Sequence, residues 1–328
     1  MQQLVAFDAG GTSTRAVIMD RTGACLGYGH AGSGNPVSSG IFAVQASLRT
    51  ALQRAAQQHG QSGSGYSSAI IAMAGSSVQT FGKTFADGLS DLGLQGRVVI
   101  ESDLLATFFS ATYHDQGYAL VAGTGAIAAR IRAGQLDAVA DGMGWLLGDA
   151  GSGFWIGHQV VRAVCAALDG RGPKTSLCVP LLAALGIDPD LPPLVQGRAA
   201  AAQQLIDAVY ELVPVELSQF APLAFDAVNG SADGVAQDIL ARAARALSTT
   251  LSAVLAPAVI GPLVFGGSIL ARGSALAAYV EEAAGGSAIR VADGVVGAAV
   301  LALRHAGTTI DAEMFARIRR TLADLRSA

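Results

Sequence analysis

Twice in this chain an apolar run passes through a glycine–threonine turn directly into a second run of apolar and β-branched residues. The first is "LVAFDAGGTSTRAVIMD" at residues 4–20 and the second is "YALVAGTGAIAARI" at residues 118–131. Run, turn, run is the pattern of a β-hairpin. It excludes the phosphate loops that stand between a strand and a helix, and the first turn also lacks GxxxxGK[ST] and GxGxxG. Two such hairpins, roughly a domain's length apart, predict a duplicated α/β unit. The expected boundaries are 1–113 and 114–328, with helical additions in the second unit and the last helix packing back on the first.

Between the hairpins, Val44, Leu48, Leu52 and Ala55 keep helical spacing, and Ala69–Met73 reads as a strand running into a turn at 74–77. Phe81, Phe85, Leu89 and Leu92 mark an amphipathic helix. A strand over 98–100 ends at Glu101-Ser102-Asp103, before an apolar helix through Ala111. Beyond the second hairpin lies a larger helical part, 154–256, in which Ile239, Leu240, Ala243, Leu247, Leu251 and Val254 keep helical spacing. Gly170–Pro180 and Asp188–Pro193 read as loops by their proline and glycine. Leu263–Phe265 reads as a strand ending at Gly266-Gly267, and Asp311–Leu325 as a charged surface helix.

Composition narrows the function classes. Apolar residues make up 51% of the chain and charged residues 14%, which allows extensive burial and argues against disorder. A net charge of −4 offers no basic face to nucleic acid or to an anionic membrane. Ala246–Ala271 carries no charge and is long enough to suggest a membrane span, but Pro257, Gly261, Pro262 and the Gly266-Gly267 pair would break one continuous helix. The opening residues carry Asp8 within their apolar run and no basic leader, unlike a signal peptide. Cys25, Cys165 and Cys178 form no CxxC pair, which fits a reducing compartment and argues against a structural zinc site. The expectation is a cytoplasmic protein.

Glycine turns that face each other across a cleft would suit phosphoryl transfer, which needs donors on the phosphates, a magnesium ion and a base near the attacking hydroxyl. Gly10, Gly11 and Thr12 would form one clamp and Gly123, Thr124 and Gly125 the other, since glycine lets backbone N–H groups approach closely. Asp8, at a strand end, could hold Mg2+ through water, because this ion keeps several of its waters. Asp103, at another strand end, could take the proton from a substrate hydroxyl; in the same position it could equally cap the following helix. Gly266-Gly267-Ser268 could join a strand to a helix and do no more. His158 reads as a core or surface histidine.

The order of motifs resembles the actin-like ATPase and sugar kinase superfamily. "FDAGGTSTRAVIMD" is similar to its first phosphate motif, "VAGTGAIAARI" to its second and "PLVFGGSILAR" to its adenosine motif. "DGMGWLLGDAGSGFWIGHQ", residues 141–159, resembles a segment shared by N-acetylglucosamine kinases and the related activator ATPases of benzoyl-CoA reductase and 2-hydroxyglutaryl-CoA dehydratase, the BadF/BadG/BcrA/BcrD type. The resemblance implies duplicated actin-like (ribonuclease H-like) domains around a cleft for ATP and sugar. It further implies Asp103 as the base acting on a sugar 6-hydroxyl, with Thr12 and Thr124 on the phosphates and Gly266 and Gly267 against the adenosine. Asn35, Gly75, Gly142, Met143, Gly144 and Asp149 would line the sugar. Met143 stands where these kinases usually have Trp, and Ala150 where Glu usually follows the aspartate matched by Asp149. Both departures fall on the sugar side.

The expected activity is ATP-dependent phosphorylation of N-acetylglucosamine or glucosamine, with a muramic or other amino sugar second. A homodimer is an option that the resemblance allows and that no stripe in the chain marks. Two alternatives stand beside it. An activator ATPase would hold an iron–sulfur cluster between subunits, for which Cys165 and Cys178 are spaced too loosely. A non-catalytic sugar-binding regulator would have little use for Asp103.

Overall fold

Leu4 and Ala6 of the first strand turn toward one side of its sheet, Val5 and Phe7 toward the other, and all four are buried. A strand covered on both faces needs no polar alternation, which is why its sequence is an almost unbroken apolar run. The computed structural model describes residues 2–60, 65–73, 81–188, 197–271 and 274–327.

Five strands make the first sheet: β1 (Gln3–Ala9), β2 (Thr14–Asp20), β3 (Cys25–Ala31), β4 (Tyr66–Met73) and β5 (Val98–Ser102), in the order β3-β2-β1-β4-β5. The second sheet contains β6 (Gly117–Ala122), β7 (Ala126–Arg132), β8 (Gln135–Asp141), β9 (Leu263–Gly266) and β10 (Ile289–Arg290), in the order β10-β9-β6-β7-β8. The two orders correspond strand for strand. Each sheet begins with an antiparallel meander of three strands, and its first strand pairs in parallel with the fourth. The duplication expected from the two hairpins therefore extends to whole sheets.

Helices α1 (Pro36–Ser39), α2 (Ile41–His59) and α3 (Gly82–Leu89) follow within the first half, and α2 and α3 cover the outer face of its sheet. Next come α4 (Asp103–Ala111), α5 (Gly153–Leu168), α6 (Cys178–Ala184), α7 (Ala200–Tyr210), α8 (Ala221–Ser231), α9 (Gly234–Ser252) and α10 (Ala275–Ala283). All of these except α4 build the core on the outer face of the second sheet. The chain ends with α11 (Val295–His305) and α12 (Ala312–Ser327). α4 and α11 lie between the sheets, in a core that joins Leu4, Ala6 and Val17 of the first to Ala119, Ala129 and Val264 of the second. α12 lies against β3, where Thr321 accepts the backbone N–H of Cys25 at 3.0 Å.

Most expected elements are present, and the uncharged stretch at 246–271 resolves into the end of α9, a turn and β9. Among the described residues no helix is long and apolar enough to cross a membrane. Gly170–Pro180 is corrected: α6 begins within it at Cys178. Pro180 stands in the first turn of that helix, where a missing N–H leaves no intrahelical bond unmade. Of the second expected loop, 189–193 lies outside the described residues.

α4 and α11 touch through a glycine. A Cβ placed on Gly297 would lie 1.8 Å from the carbonyl oxygen of Ala106, and the Gly297 N–H donates to Ser110 Oγ at 2.8 Å. Gly297→Ala is expected to force the helices apart and lower stability by about 2–3 kcal/mol, read as a lower urea midpoint; an unchanged midpoint would show that the crossing is not this close.

Candidate active site

Antiparallel pairing of β1 with β2 sets Ala9 opposite Thr14 and Asp8 opposite Arg15, leaving Gly10–Ser13 as the turn. Gly10 closes it by donating to the Ser13 carbonyl at 2.9 Å, and Gly11 and Thr12 project into solvent. The loop carrying Asn35 is fastened to the same turn: Gly34 N–H donates to the Gly10 carbonyl at 2.9 Å and Ser33 Oγ to the Gly11 carbonyl at 2.8 Å. A side chain at Gly34 would collide with Ala9 and Thr14. Thus Asn35 and the first turn form one unit.

The second turn, Gly123–Gly125, follows the same plan, with Gly123 donating to the Gly125 carbonyl at 2.9 Å. Its carbonyls accept from the first N–H groups of α5: Gly153 onto Gly123 at 2.7 Å and Phe154 onto Thr124 at 3.1 Å. Ser152 caps that helix through the N–H of Trp155 at 3.1 Å. The Gly266-Gly267 turn lies directly behind. Gly267 has φ +81°, and a Cβ on it would come within 2.4 Å of Ala122. Glycine is thus required at 267 both by conformation and by space.

Asp149 holds the second turn from the other side. It is buried, has φ +59°, and accepts the Ala126 N–H at 3.1 Å, while its own N–H donates to Asp141 at 2.8 Å. Burial raises its carboxyl above the ordinary range; the Ala126 N–H pulls down and Asp141 pushes up. Gly142 and Gly144 both have positive φ, and Met143 is 67% exposed. With Trp145, Leu146 and Leu147, Met143 forms an exposed apolar segment next to Asp149. Gly75 lies outside the described residues.

Ser102, not Asp103, caps α4, accepting the Leu104 N–H at 3.2 Å. Asp103 is therefore the first helical residue, and Ser102 holds the cap position. Burial raises its pKa, against the pull of the Leu104 and Asp103 N–H groups. On a helix, positions i, i+3 and i+4 share a face, so Ala106 and Thr107 stand on the side of Asp103. A Cβ on Gly294 would meet the Ala106 methyl at 3.2 Å, and one on Gly266 would meet the Thr107 methyl at 2.6 Å. That stripe of α4 brings the Asp8 corner and the Gly266-Gly267 turn to the helix that carries Asp103.

Asp8 has a setting that no local sequence pattern signals. Its Oδ2 accepts the Gly294 N–H, just before α11, at 3.0 Å and an Arg15 guanidinium N–H at 3.3 Å. Arg15 also faces Asp293 at 3.5 Å, and Asp293 is held from behind by Arg326 of α12 at 2.9 Å. Burial and then Asp293 push the Asp8 carboxyl from 3.8 up to about 6; Arg15 and the Gly294 N–H oppose this, and Asp103 adds a smaller upward push. Arg15, Asp293 and Gly294 join the site through contacts spanning up to 286 residues of sequence.

Residues 6–302 match the BadF/BadG/BcrA/BcrD ATPase family. Glucosamine kinase GspK of Vibrio cholerae is 28% identical over 180 residues, 54% of this chain and 60% of that protein. An N-acetylmuramic acid/N-acetylglucosamine kinase of Clostridium acetobutylicum is 28% identical over 178 residues, 54% of this chain and 58% of that protein. The chain thus spans about three fifths of the length of these curated relatives. A Chromobacterium violaceum protein, described from its crystal structure as a candidate N-acetylglucosamine kinase, is 22% identical with a TM-score of 0.71, covering 92% of this chain and 99% of that one. The last likeness is one of fold. With the doubled sheet topology it makes the architecture that of the actin-like ATPases.

An aspartate whose folded pKa lies above its unfolded value keeps its full stabilising contribution only below the unfolded pKa, and loses it as pH rises through the folded one. For Asp8 the window is pH 4 to 6, and the loss is on the order of 3 kcal/mol. Asp8→Asn should therefore gain stability relative to the native protein between pH 4 and 7 by about that amount, measured as the difference in urea unfolding free energy. Parallel pH profiles for the two proteins would contradict the burial assigned to this carboxyl.

Proposed function

The chain belongs to the BadF/BadG/BcrA/BcrD ATPase family, and from that premise we propose an ATP-dependent kinase that phosphorylates the 6-hydroxyl of an amino sugar, N-acetylglucosamine or glucosamine. The observation that carries this reading is the α4 stripe. It sets an aspartate with a raised pKa, in the first turn behind the Ser102 cap, on the helix that both the Asp8 corner and the Gly266-Gly267 turn touch. The amino-sugar kinase names of the partial relatives favour this substrate class.

In this mechanism the N–H groups of Gly11, Thr12, Thr124 and Gly125 face the phosphates, those of Gly10 and Gly123 closing the turns themselves, and Gly266-Gly267 lies against the adenosine. Asn35 and Asp149, each fastened to one of the turns, hold sugar hydroxyls, so sugar and phosphate are aligned by the same two hairpins. Asp103 takes the proton of the 6-hydroxyl as that oxygen bonds to the γ-phosphorus and the bridge to the β-phosphate breaks, leaving ADP. Burial makes it a better proton acceptor than an exposed carboxylate. Magnesium, when bound, would neutralise charge on the β- and γ-phosphates. Asp8 fits such an ion held through water: Arg15 and Gly294 occupy Oδ2, and direct ligation there would have to displace them. Among the described residues no three metal-ligating side chains converge, which suits an ion carried mainly by phosphate oxygens.

The test is ADP release from Mg-ATP across N-acetylglucosamine, glucosamine, N-acetylmannosamine, N-acetylmuramic acid and glucose. One amino sugar should support turnover, and Asp103→Asn should lower kcat by about 10²- to 10⁴-fold with ATP binding intact. Release that no sugar stimulates would refute the kinase reading.

A further inference from the structure

A cavity of about 500 Å³ opens on the side of α4 turned away from Asp103. Residues two apart on a helix point in nearly opposite directions, so Leu105 faces away from the stripe described above, and Leu105 lines this cavity. Its other walls come from Ile100 of β5, Leu136 of β8 and Leu301 of α11. Both sheets and both central helices therefore meet around one space. Leu105 and Leu301 are 5% and 3% exposed and form the floor; Leu136, 36% exposed, stands at the mouth. The volume is that of a small-molecule site.

One charge in the wall stands out. The Arg304 guanidinium lies over the Phe109 ring, 4.2 Å from its centroid, and donates to the carbonyl of Tyr113 at 2.9 Å. Gly134 packs against it so closely that a Cβ there would fall 2.6 Å from a guanidinium nitrogen. Among the described residues no carboxylate comes within 4.0 Å of Arg304. Burial pushes its pKa down, with the charge of Asp115 opposing. A guanidinium carries five N–H donors, so one neutral carbonyl leaves most of them available. The acid in the same wall, Glu101, is already tied to His305 at 2.7 Å.

We propose that this cavity binds a hydrophobic monocarboxylate, with its carboxylate on Arg304 and its hydrocarbon against Leu105, Leu136 and Leu301. A partly buried cation with no carboxylate in ion-pair contact selects an anion, and the apolar walls select a body with few polar groups. The site is separate from the glycine turns and does not depend on the kinase reading. Its occupant would rest on the back of the helix that carries Asp103.

Calorimetric titration of the full chain with octanoate and with 2-naphthoate tests this, with octanol as the neutral counterpart. The native protein should bind at least one of the two carboxylates saturably and octanol at least tenfold more weakly. Leu136→Trp, which fills the exposed mouth, should weaken carboxylate binding at least tenfold while the unfolding midpoint and the affinity for a non-hydrolysable ATP analogue stay as in the native protein. Arg304→Met should bind octanol as well as it binds octanoate. Absence of saturable binding of either carboxylate, octanol binding that equals octanoate in the native protein, or unchanged binding by Leu136→Trp would overturn the proposal.

Discussion

Everything around the candidate site depends on how closely α4 and α11 approach. Gly297 lets the two backbones meet at Ala106, and Ser110 satisfies the Gly297 N–H in the process. With the helices in that contact, Gly294 reaches Asp8 from one end of α11, while Asp103 occupies the first position of α4. Larger side chains at these crossing points would separate the sheets and with them the glycine turns. Small residues here serve proximity, because a misplacement of about 1 Å is enough to spoil the alignment of donors from different strands on one ligand.

Electrostatics adds a cost to that geometry. Asp8 and Asp293 are like charges in a poorly solvated corner, with Arg15 between them and Arg326 behind. Each carboxylate has a guanidinium partner, yet burial still prevails at Asp8, whose pKa remains raised. Such a corner stores unfavourable energy that bound cationic charge would relieve, a common arrangement where a site awaits a ligand. The C-terminal helix takes part through Arg326, so a segment remote in sequence steadies the residue beside the first turn.

The hairpins were legible because hairpin chemistry is local: apolar runs, a glycine turn and β-branched residues specify the pairing within fifteen or so positions. The third strand of each meander was not. β3 is interrupted by Gly27 and Gly29, which are small because α2 presses on them there, and β8 is largely exposed and carries polar residues among its apolar ones. Both β3 and β8 acquire strand structure from the neighbour they pair with. The role of Ser102 was hidden by its neighbour: Ser and Asp both favour caps, and only the backbone angles at 102 decide between them. Arg15, Asp293 and Gly294 could not be read at all, since single residues far apart carry no periodicity. Asp103, Asp8 and the three glycine turns were legible as candidates, and the contacts of α4 relate the Gly266-Gly267 turn and the Asp8 corner to the helix that carries Asp103.

In the proposed reaction phosphoryl transfer ends on a sugar hydroxyl and not on water. The most direct measurement is ³¹P NMR of the protein with Mg-ATP and the amino sugar that stimulates it. The expected result is a phosphomonoester resonance coupled to the two protons of the sugar C6, growing as the ATP γ-signal falls. Growth of inorganic phosphate alone, with no ester resonance, would contradict it.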